Sequence, residues 1–485
     1  RSVKRNYILN LIYQLTLLLP SIITIPYLSR VLQPSGTGQF AYTLSLTTYF
    51  ITFATFGFTY YAQRGIANLA HDKPAQTKFF SEILVFRGVL VLFCFALDCI
   101  LILSGVFAAN ATLMWISSIR IIAVALDISF LFFGNENFGV YVIRNVIFKS
   151  ITLTLVFLLI KKPADVWIYA LITALEIAIG HGLIWPYLVK QLKRFAGKLE
   201  IKKHIIPCLK LFIPAAAGAI YLAFNKTILG VLTNENAVGY YAQVEKIVLV
   251  CTSLIGVLNP VLLPRMVKAF ANKNITLVHE QLAKALKLIF FLATPMMFGL
   301  IAVAQIAVPL ILGAAYTPGI PILMILPISI FTIGTSGVIG IQYLVSSGRD
   351  NKFVMSTVIG AIVSLISTIV LTYFFSFTGT AIASVLGELF VTLSQMFFVR
   401  KEIKFVWIIK HSFKYLIIGA VMFVAVFSMT FVLNVNILSL AVLVLVGASI
   451  YLAGLIITRD GVLKEIAFSL ISKLKSVFVS MKFKH

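Results

Sequence analysis

Long apolar runs separated by short polar breaks extend along the whole chain. Many of these runs approach or exceed about 18 residues, which lets a helix cross a bilayer core of roughly 30 Å. We therefore predict fourteen membrane-spanning helices, at residues 8–30, 38–63, 80–104, 111–133, 139–160, 165–189, 207–232, 238–262, 284–312, 320–346, 353–375, 378–399, 408–433 and 437–458.

The polar breaks also show a weak internal repeat. Residues 30–41 read RVLQPSGTGQFA and residues 230–242 read GVLTNENAVGYYA; each ends one predicted helix and begins another. A shift of 201 positions places 38–70 on 239–271 and matches Gly38 with Gly239, Ala41 with Ala242, Arg64 with Arg265 and Ala70 with Ala271. The copies are six spans apart, which predicts two halves of the same orientation related by an axis along the membrane normal.

Composition agrees with this pattern. The chain is 60% hydrophobic and 12% charged, whereas soluble proteins carry about 25% charged residues. The net charge of +24 raises the possibility of nucleic-acid binding, but the basic residues flank apolar runs and form no basic domain. We expect no nucleic-acid partner.

The distribution of basic residues predicts the topology. With the N-terminus inside, 32 of the 40 Lys and Arg residues lie in inner segments and their flanks, and three lie outside. Inner loops carry the excess of positive charge in membrane proteins, so both termini are predicted to be cytoplasmic.

The longest polar break, KQLKRFAGKLEIKKHII at 190–206, follows six spans. It predicts an N-lobe at 1–192, a basic cytoplasmic linker at 193–206 and a C-lobe at 207–400, with two more spans in 401–458. Residues 459–485 predict a basic amphipathic tail on the inner membrane surface, since apolar residues recur there at helical spacing.

No nucleotide-binding loop, dinucleotide fingerprint, zinc-ligand spacing or nucleophile elbow is present. The four cysteines, Cys94, Cys99, Cys208 and Cys251, lie in or beside spans and are interpreted as packing residues. The sequence thus predicts a transporter rather than an enzyme, with no metal and no cofactor.

Three segments resemble the polysaccharide-transporter family of the MOP superfamily, which includes Wzx-type flippases and is related to MurJ and MATE transporters. They are PYLSRVLQPSGTGQFAYTLSL (26–46), NKTILGVLTNENAVGYYAQVEKI (225–247) and PLILGAAYTPGIPILMILPIS (309–329). Gln33 departs from the pattern, because the family commonly has glycine there. The resemblance covers nearly the whole chain.

The resemblance implies an all-α integral membrane fold with two pseudo-symmetric six-helix lobes around a cavity, plus two C-terminal helices. It also implies a flippase in the bacterial cytoplasmic membrane that works by alternating access. The implied substrate is a polyprenyl-diphosphate-linked oligosaccharide of an O-antigen, capsule, exopolysaccharide or teichoic acid pathway. Membrane lipids, and a polymerase or glycosyltransferases of that pathway, are the expected partners, and a proton or Na⁺ is the expected coupling ion.

Charged residues within the spans are the candidates for the transport path, because an isolated ion in hydrocarbon is very costly. Cations lining a cavity could hold a diphosphate, and acids could bind the coupling ion. The cations are Arg30, Arg87, Arg120, Lys149, Lys226 and Lys246, and the acids are Asp98, Asp127, Glu176, Glu245 and Glu388.

Each candidate also has a structural interpretation. Arg30 and Lys226 occupy near-equivalent positions in the repeat, but Arg30 could instead extend to lipid head groups, and Lys226 could form an ion pair. Arg87 shares a helical stripe with Asp98, and Arg120 shares one with Asp127, so these charges could neutralise one another. Structural roles are equally open for Lys149 and for the neighbouring Glu245 and Lys246.

Three alternatives remain. A MurJ-like lipid II flippase would need the same anion-binding logic. A MATE-like multidrug exporter would favour acids in the cavity, whereas these spans hold slightly more cations. A membrane polymerase or ligase would usually have a large external loop, and the outer connections predicted here are short.

Overall fold

The structure is a computed structural model that describes residues 3–135, 138–187, 197–256, 259–403 and 405–465. The predicted tail beyond residue 465 and part of the predicted linker lie outside the described residues. Within the described ranges the chain forms helices and no strand, which confirms the all-α prediction.

We number the α-helices in chain order. They are α1 Val3–Thr55, α2 Phe58–Asn68, α3 Lys73–Leu103, α4 Ala111–Leu126, α5 Ser129–Gly134, α6 Phe138–Leu159, α7 Val166–Gly182, α8 Lys202–Leu232, α9 Glu235–Gly256, α10 Asn259–Ala271, α11 Ile275–Ile311, α12 Ile320–Ile325, α13 Ile328–Ser336, α14 Asp350–Val399, α15 Phe405–Thr430 and α16 Ile437–Ile457. A π-helix, Gly337–Val345, follows α13.

Ten helical segments among the described residues are long and apolar enough to span a membrane. The bent pair Lys202–Ile213 and Gly218–Leu232, which meets at 57°, raises this number to eleven if it counts as one span. The multi-span architecture is therefore confirmed, while the count of fourteen stays a prediction.

The two longest helices are each interrupted at a residue with positive φ. Gln33 has φ 59° inside α1, and Ser376 has φ 52° inside α14. Both interruptions lie where the sequence predicts a turn between spans. At Ser376 the chain folds back, since the hydroxyls of Thr372 and Thr380 lie 2.8 Å apart, whereas eight residues of continuous helix would extend about 12 Å.

The chain packs as two compact units, and we describe each by itself. The first contains Arg1–Lys246 with Ala361–Ala383, and the second contains Ile247–Gly360 with Ser384–His485. These units differ from the predicted lobes at 1–192 and 207–400. The lobes describe a proposed repeat rather than packing, so their boundaries stay a prediction.

In the first unit, the predicted outer connections lie together at one end. Gly36 lies against the Pro163 carbonyl, with 3.5 Å from an ideal Cβ to the oxygen. Ser35, Asn110 and Asn234 line one cavity. These residues come from the connections after predicted spans one, three, five and seven. We call this the turn end of the first unit, and its composition agrees with the predicted alternation of inner and outer connections.

At the turn end, α1 and α9 make two contacts that the repeat relates to each other. A Cβ on Gly38 would lie 1.8 Å from the Glu235 oxygen, and a Cβ on Gly239 would lie 2.0 Å from the Pro34 oxygen. The shift of 201 places Pro34 on Glu235 and Gly38 on Gly239. A self-complementary contact of this kind is characteristic of a two-fold relation, and only glycine allows so close an approach.

The opposite end of the first unit, which we call the linker end, is held by buried charge. The Glu82 side chain is 1% exposed and contacts Lys203 Nζ at 3.0 Å and His204 Nε2 at 2.8 Å. The Tyr61 hydroxyl lies 2.7 Å from His204 Nδ1. Since Lys203 and His204 lie in the last part of the predicted linker, which the structure shows as the start of α8, this cluster fastens that start to α2 and α3.

Candidate functional site

Two lysines and one glutamate meet between α8 and α9 in the first unit; we call them the α8–α9 charge group. Lys226 Nζ lies 2.6 Å from Glu245 Oε2, with side chains 19% and 10% exposed. Lys246 interacts electrostatically with both residues, but within the described chain it forms no salt bridge of its own. Fully ionised, the group carries one positive charge in excess of its acid.

Hydroxyl groups beside Lys226 connect this group to α1. Thr227 Oγ1 lies 2.9 Å from Ser45 Oγ and 3.1 Å from the Tyr49 hydroxyl, which donates to it. One turn along α8, a Cβ on Gly230 would lie 2.3 Å from the Tyr42 ring. The second predicted span of the first repeat copy and the first span of the second copy therefore meet in a polar contact at Thr227, the residue after Lys226.

A second group, also of two cations and one glutamate, lies among α4, α6 and α7; we call it the α4–α7 charge group. Lys149 Nζ contacts Glu176 Oε1 at 2.6 Å, and Arg120 interacts electrostatically with Glu176. Here the second cation has other partners. Arg120 Nη2 donates to Thr173 Oγ1 at 2.6 Å, and its guanidinium lies 5.9 Å from the centre of the Phe40 ring.

Arg87 is the most enclosed of the candidate cations. It is 2% exposed and lies between two aromatic rings, 5.2 Å from the centre of Phe58 and 5.1 Å from that of Phe130. Its Nη1 donates to the Asp127 carbonyl, which belongs to the residue that ends α4. These contacts match a role in holding α3 against α4 and α5.

The ion pairs suggested by the helical stripes do not form within the described residues. Asp98 accepts from Ser118 Oγ at 2.5 Å, and the Asp127 carboxylate accepts from the Ser129 backbone N–H at 2.9 Å. The reason is distance along the helix: eleven residues separate Arg87 from Asp98 by about 16 Å at about 1.5 Å per residue. Arg87 contacts the neighbouring helix instead.

The remaining two candidates lie apart from these groups. Arg30 is exposed on α1, three residues before the interruption, and its carbonyl accepts from Gln33 Nε2 at 2.6 Å. Glu388 lies in α14 within the second unit, where its backbone carbonyl accepts from Thr392. The predicted pairing of Arg30 with Lys226 across a cavity stays a prediction.

The sequence analysis did not identify two features that bear on function. One is Glu235, which lies in a predicted turn and accepts from Gln39 Nε2 at 2.7 Å; an acid among the asparagines of TNEN was the available signal. The other is an apolar cavity of about 480 Å³ in the second unit, walled by α11, α15 and α16 with residues such as Phe291, Met422 and Leu443. No sequence pattern distinguishes such a cavity from ordinary packing.

Comparison with known proteins identifies the family. Residues 3–270, more than half of the chain, match the family described as "Polysaccharide biosynthesis protein". Two relatives carry the description "Putative O-antigen transporter". The one from Escherichia coli (strain K12) is 24% identical over 410 residues, covering 83% of this chain and 97% of the relative. The one from Shigella dysenteriae is 25% identical over 402 residues, covering 81% and 99%.

Solved structures with a similar fold are transporters. The lipid II flippase MurJ in an inward closed conformation has a TM-score of 0.64 at 19% identity, covering 90% of this chain and 99% of that one. An inward-facing multidrug resistance MATE family transporter of the MOP superfamily has a TM-score of 0.60 at 13% identity, covering 79% and 97%. The MOP-type fold and the prediction of a transporter rather than an enzyme are thereby confirmed, and the chain belongs to the polysaccharide biosynthesis protein family.

Proposed function

We propose that this protein is a flippase for a lipid-diphosphate-linked oligosaccharide, which it moves from the cytoplasmic to the outer leaflet. The observation that carries the proposal is the α8–α9 charge group, where Lys226, Glu245 and Lys246 are partly buried with one cation in excess. The family match and the O-antigen transporter relatives support this substrate class. An O-antigen repeat unit, or the related unit of a capsule, exopolysaccharide or teichoic acid, is the proposed cargo.

Excess positive charge within the membrane suits an anionic cargo. Burying a charge without a partner is strongly unfavourable, so Lys246 and its neighbours favour a negative guest. A diphosphate offers several acceptor oxygens to ammonium donors. The hydroxyls of Ser45 and Tyr49 contact that of Thr227, the residue after Lys226. These hydroxyls suit the polar part of the same molecule.

Glu245 gives the group a means of coupling to an ion. While ionised it holds Lys226 at 2.6 Å. A proton or Na⁺ on this carboxylate would neutralise it and free Lys226 for the diphosphate. In this proposal the Glu245 carboxylate and the diphosphate of the cargo exchange places on Lys226, and the ion bound to Glu245 decides which of the two is held. This is the differential interaction that an alternating-access cycle needs.

The second unit supplies a place for hydrocarbon. Its cavity of about 480 Å³ is lined almost entirely by apolar side chains, with Phe291, Leu300 and Leu443 among them. A prenyl chain gains favourable burial against such a surface. We propose that this surface contacts the lipid part of the cargo.

The proposed setting is the bacterial inner membrane, with both termini in the cytoplasm. The excess of basic residues in alternate connections supports this orientation. Glycosyltransferases that build the oligosaccharide, and a polymerase that consumes it, are the proposed partners.

Transport in proteoliposomes tests the proposal directly. The full chain is reconstituted with the lipid-linked oligosaccharide of its own strain, and the cargo that reaches the opposite leaflet is measured by its access to an added glycosidase. We expect transport by the wild type and none by Lys226→Met/Glu245→Leu. The double change removes one charge of each sign, so the net charge of the group stays the same and the fold should stay intact.

Folding of the variant is checked by its elution as a single species before reconstitution. Wild-type protein that fails to move the cargo would contradict the proposed function. Normal transport by the folded double variant would instead contradict the role of the α8–α9 charge group.

A further inference from the structure

A polar cavity of about 370 Å³ opens at the turn end of the first unit. Its walls come from three connections: the one within α1, the one between α3 and α4, and the one between α8 and α9. The polar lining residues are Ser35, Asn110, Thr233, Asn234, Glu235 and Asn236. The volume lies within the range of small-molecule sites, about 300–1,000 Å³, and the proposed transport mechanism makes no use of this cavity.

Its chemistry differs from that of the α8–α9 charge group. None of the lining residues is basic, so the cavity offers no cation to a diphosphate. Three asparagines provide amide groups that both donate and accept, and a serine and a threonine provide hydroxyls. This mixture of donors and acceptors suits an uncharged ligand with many hydroxyl groups.

Some of this hydrogen-bonding capacity remains available. Asn234 accepts from the Ala237 backbone N–H through Oδ1 at 3.0 Å, which leaves the two N–H donors of its Nδ2. Asn234 and Asn236 are both exposed. The single acid, Glu235, accepts from Gln39 Nε2 at 2.7 Å, so its carboxylate is oriented by a neighbouring side chain.

An aromatic wall completes the cavity. Tyr42 lines it and lies against Gly230, where a Cβ would approach the ring to 2.3 Å. A sugar ring has polar edges and a C–H face, so an aromatic wall opposite amides suits it.

We propose that this cavity is a saccharide-binding exit subsite, which holds a short stretch of the oligosaccharide at the outer side of the protein. The inference rests on the proposed function for its direction of travel, since the turn end is the end that the charge distribution predicts to be outside. It adds a location for the sugar separate from the site for the diphosphate.

Protection of an introduced cysteine tests the subsite. In the purified full chain, Ser35→Cys is labelled with a polar maleimide, and labelling of the native cysteines in the unsubstituted protein is subtracted. Ser35 lines the cavity, and its replacement by the similar-sized cysteine leaves all three asparagines in place. The probe is the free oligosaccharide released by mild acid from the strain's own lipid-linked precursor, at millimolar concentration. Val106→Cys is the matched control, because Val106 is 67% exposed on the α3–α4 connection and does not line the cavity.

We expect the oligosaccharide to slow labelling at Ser35→Cys several-fold and to leave Val106→Cys unchanged. Inorganic pyrophosphate should protect neither position. Equal rates with and without oligosaccharide, or protection of Ser35→Cys by pyrophosphate, would overturn the assignment. The result is independent of transport: wild-type protein inactive in proteoliposomes would contradict the proposed function, whereas protection at Ser35→Cys would still establish the subsite.

Discussion

The α8–α9 and α4–α7 charge groups carry the same charges, but they differ in the partners of the second cation. Each contains two cations and one glutamate, and each has a lysine–glutamate contact of 2.6 Å. In the α4–α7 group the second cation, Arg120, bonds to Thr173 and faces the Phe40 ring. In the α8–α9 group the second cation, Lys246, has no such partner among the described residues.

The partners of a buried cation indicate whether its role is structural or functional better than its burial does. Arg120 already bonds to a hydroxyl through Nη2 and faces an aromatic ring, although its buried Nε has no partner among the described residues. Such a cation has less to gain from a guest anion than one without these contacts. A cation beside an already paired lysine is stabilised by an added negative charge. We therefore expect the α8–α9 group to bind the cargo during transport and the α4–α7 group to stabilise the packing of its helices.

The largest expected effect comes from removing the surplus cation. Lys246→Met leaves the Lys226–Glu245 pair intact, so the fold should persist, while transport should fall at least about tenfold, as expected when a desolvated charged contact is lost. Lys149→Met is the matched variant, since Arg120 remains near Glu176. Transport by both variants is measured in proteoliposomes at equal amounts of folded protein.

Equal effects of Lys246→Met and Lys149→Met would contradict the proposed difference between the two charge groups. Equal loss of transport in Lys149→Met would mean that both groups contact the cargo, and full transport by Lys246→Met would mean that the surplus charge is structural.

Arg87 tests the structural half of the comparison, because its loss should lower stability rather than transport. Arg87→Met removes the donor to the Asp127 carbonyl and the cation between Phe58 and Phe130. We expect a loss of about 2–4 kcal/mol of stability, the sum of a lost buried hydrogen bond and poorer packing. Transport per folded molecule should stay near the wild-type level. Thermal denaturation in detergent and transport by the surviving fraction give the two values.

Arg64→Met serves as a control, because Arg64 is an exposed α2 residue. A drop in transport by Arg87→Met that exceeds the loss of folded protein would assign Arg87 to the cargo path.

The sequence predicted the elements but not the partners of the charges. Hydropathy located most spans because membrane helices need long apolar runs. The repeat aligned Gly38 with Gly239, but it did not predict that the two glycines lie in contact, as the structure shows. Helical periodicity placed Arg87 and Asp98 on one stripe, yet it carries no information on the neighbouring helix. The contacts of Arg87 with Asp127, and of Lys226 with Glu245, depend on how helices pack, so they needed the structure.

An ion pair whose acid, Asp460, lies outside the spans shows how a purely structural pair should respond to pH. The Asp460 side chain, 1% exposed, contacts Lys414 and accepts from the Tyr415 hydroxyl at 2.9 Å. Burial raises the pKa of Asp460, but the bonds from Lys414, the Leu463 backbone and Tyr415 outweigh it, so that pKa lies below its usual range.

A lowered carboxyl pKa gives stability that is present above the unfolded value, about 3.9, and is lost as pH falls through the folded pKa. We expect the melting temperature in detergent to fall over this acidic range, and Asp460→Asn to show a smaller fall. Transport at neutral pH should be similar in both proteins. An identical acid profile in Asp460→Asn would show that this pair contributes no linked stability.

The smallest expected effect concerns the turn that places Ser45 and Tyr49 beside the α8–α9 group. Gln33 has φ 59° and ψ 173°, a region that suits glycine and costs other residues about 1–3 kcal/mol. In the second unit, a turn of similar conformation has glycine, with Gly313 at φ 105° and ψ 159°. Gln33→Gly should therefore stabilise the protein by up to about 1 kcal/mol, since the relief of strain is partly offset by the greater freedom of glycine in the unfolded chain.

Gln33→Ala is the matched control, because alanine keeps the steric restriction and also loses the Gln33 hydrogen bond to the Arg30 carbonyl. Melting temperature in detergent should rise only for the glycine variant. If both variants melt below the wild type, the hydrogen bond outweighs the strain. If Gln33→Gly is more stable but transports less, then the strained glutamine holds the second half of α1 in the position that the α8–α9 group requires, and the departure from glycine has a functional cause.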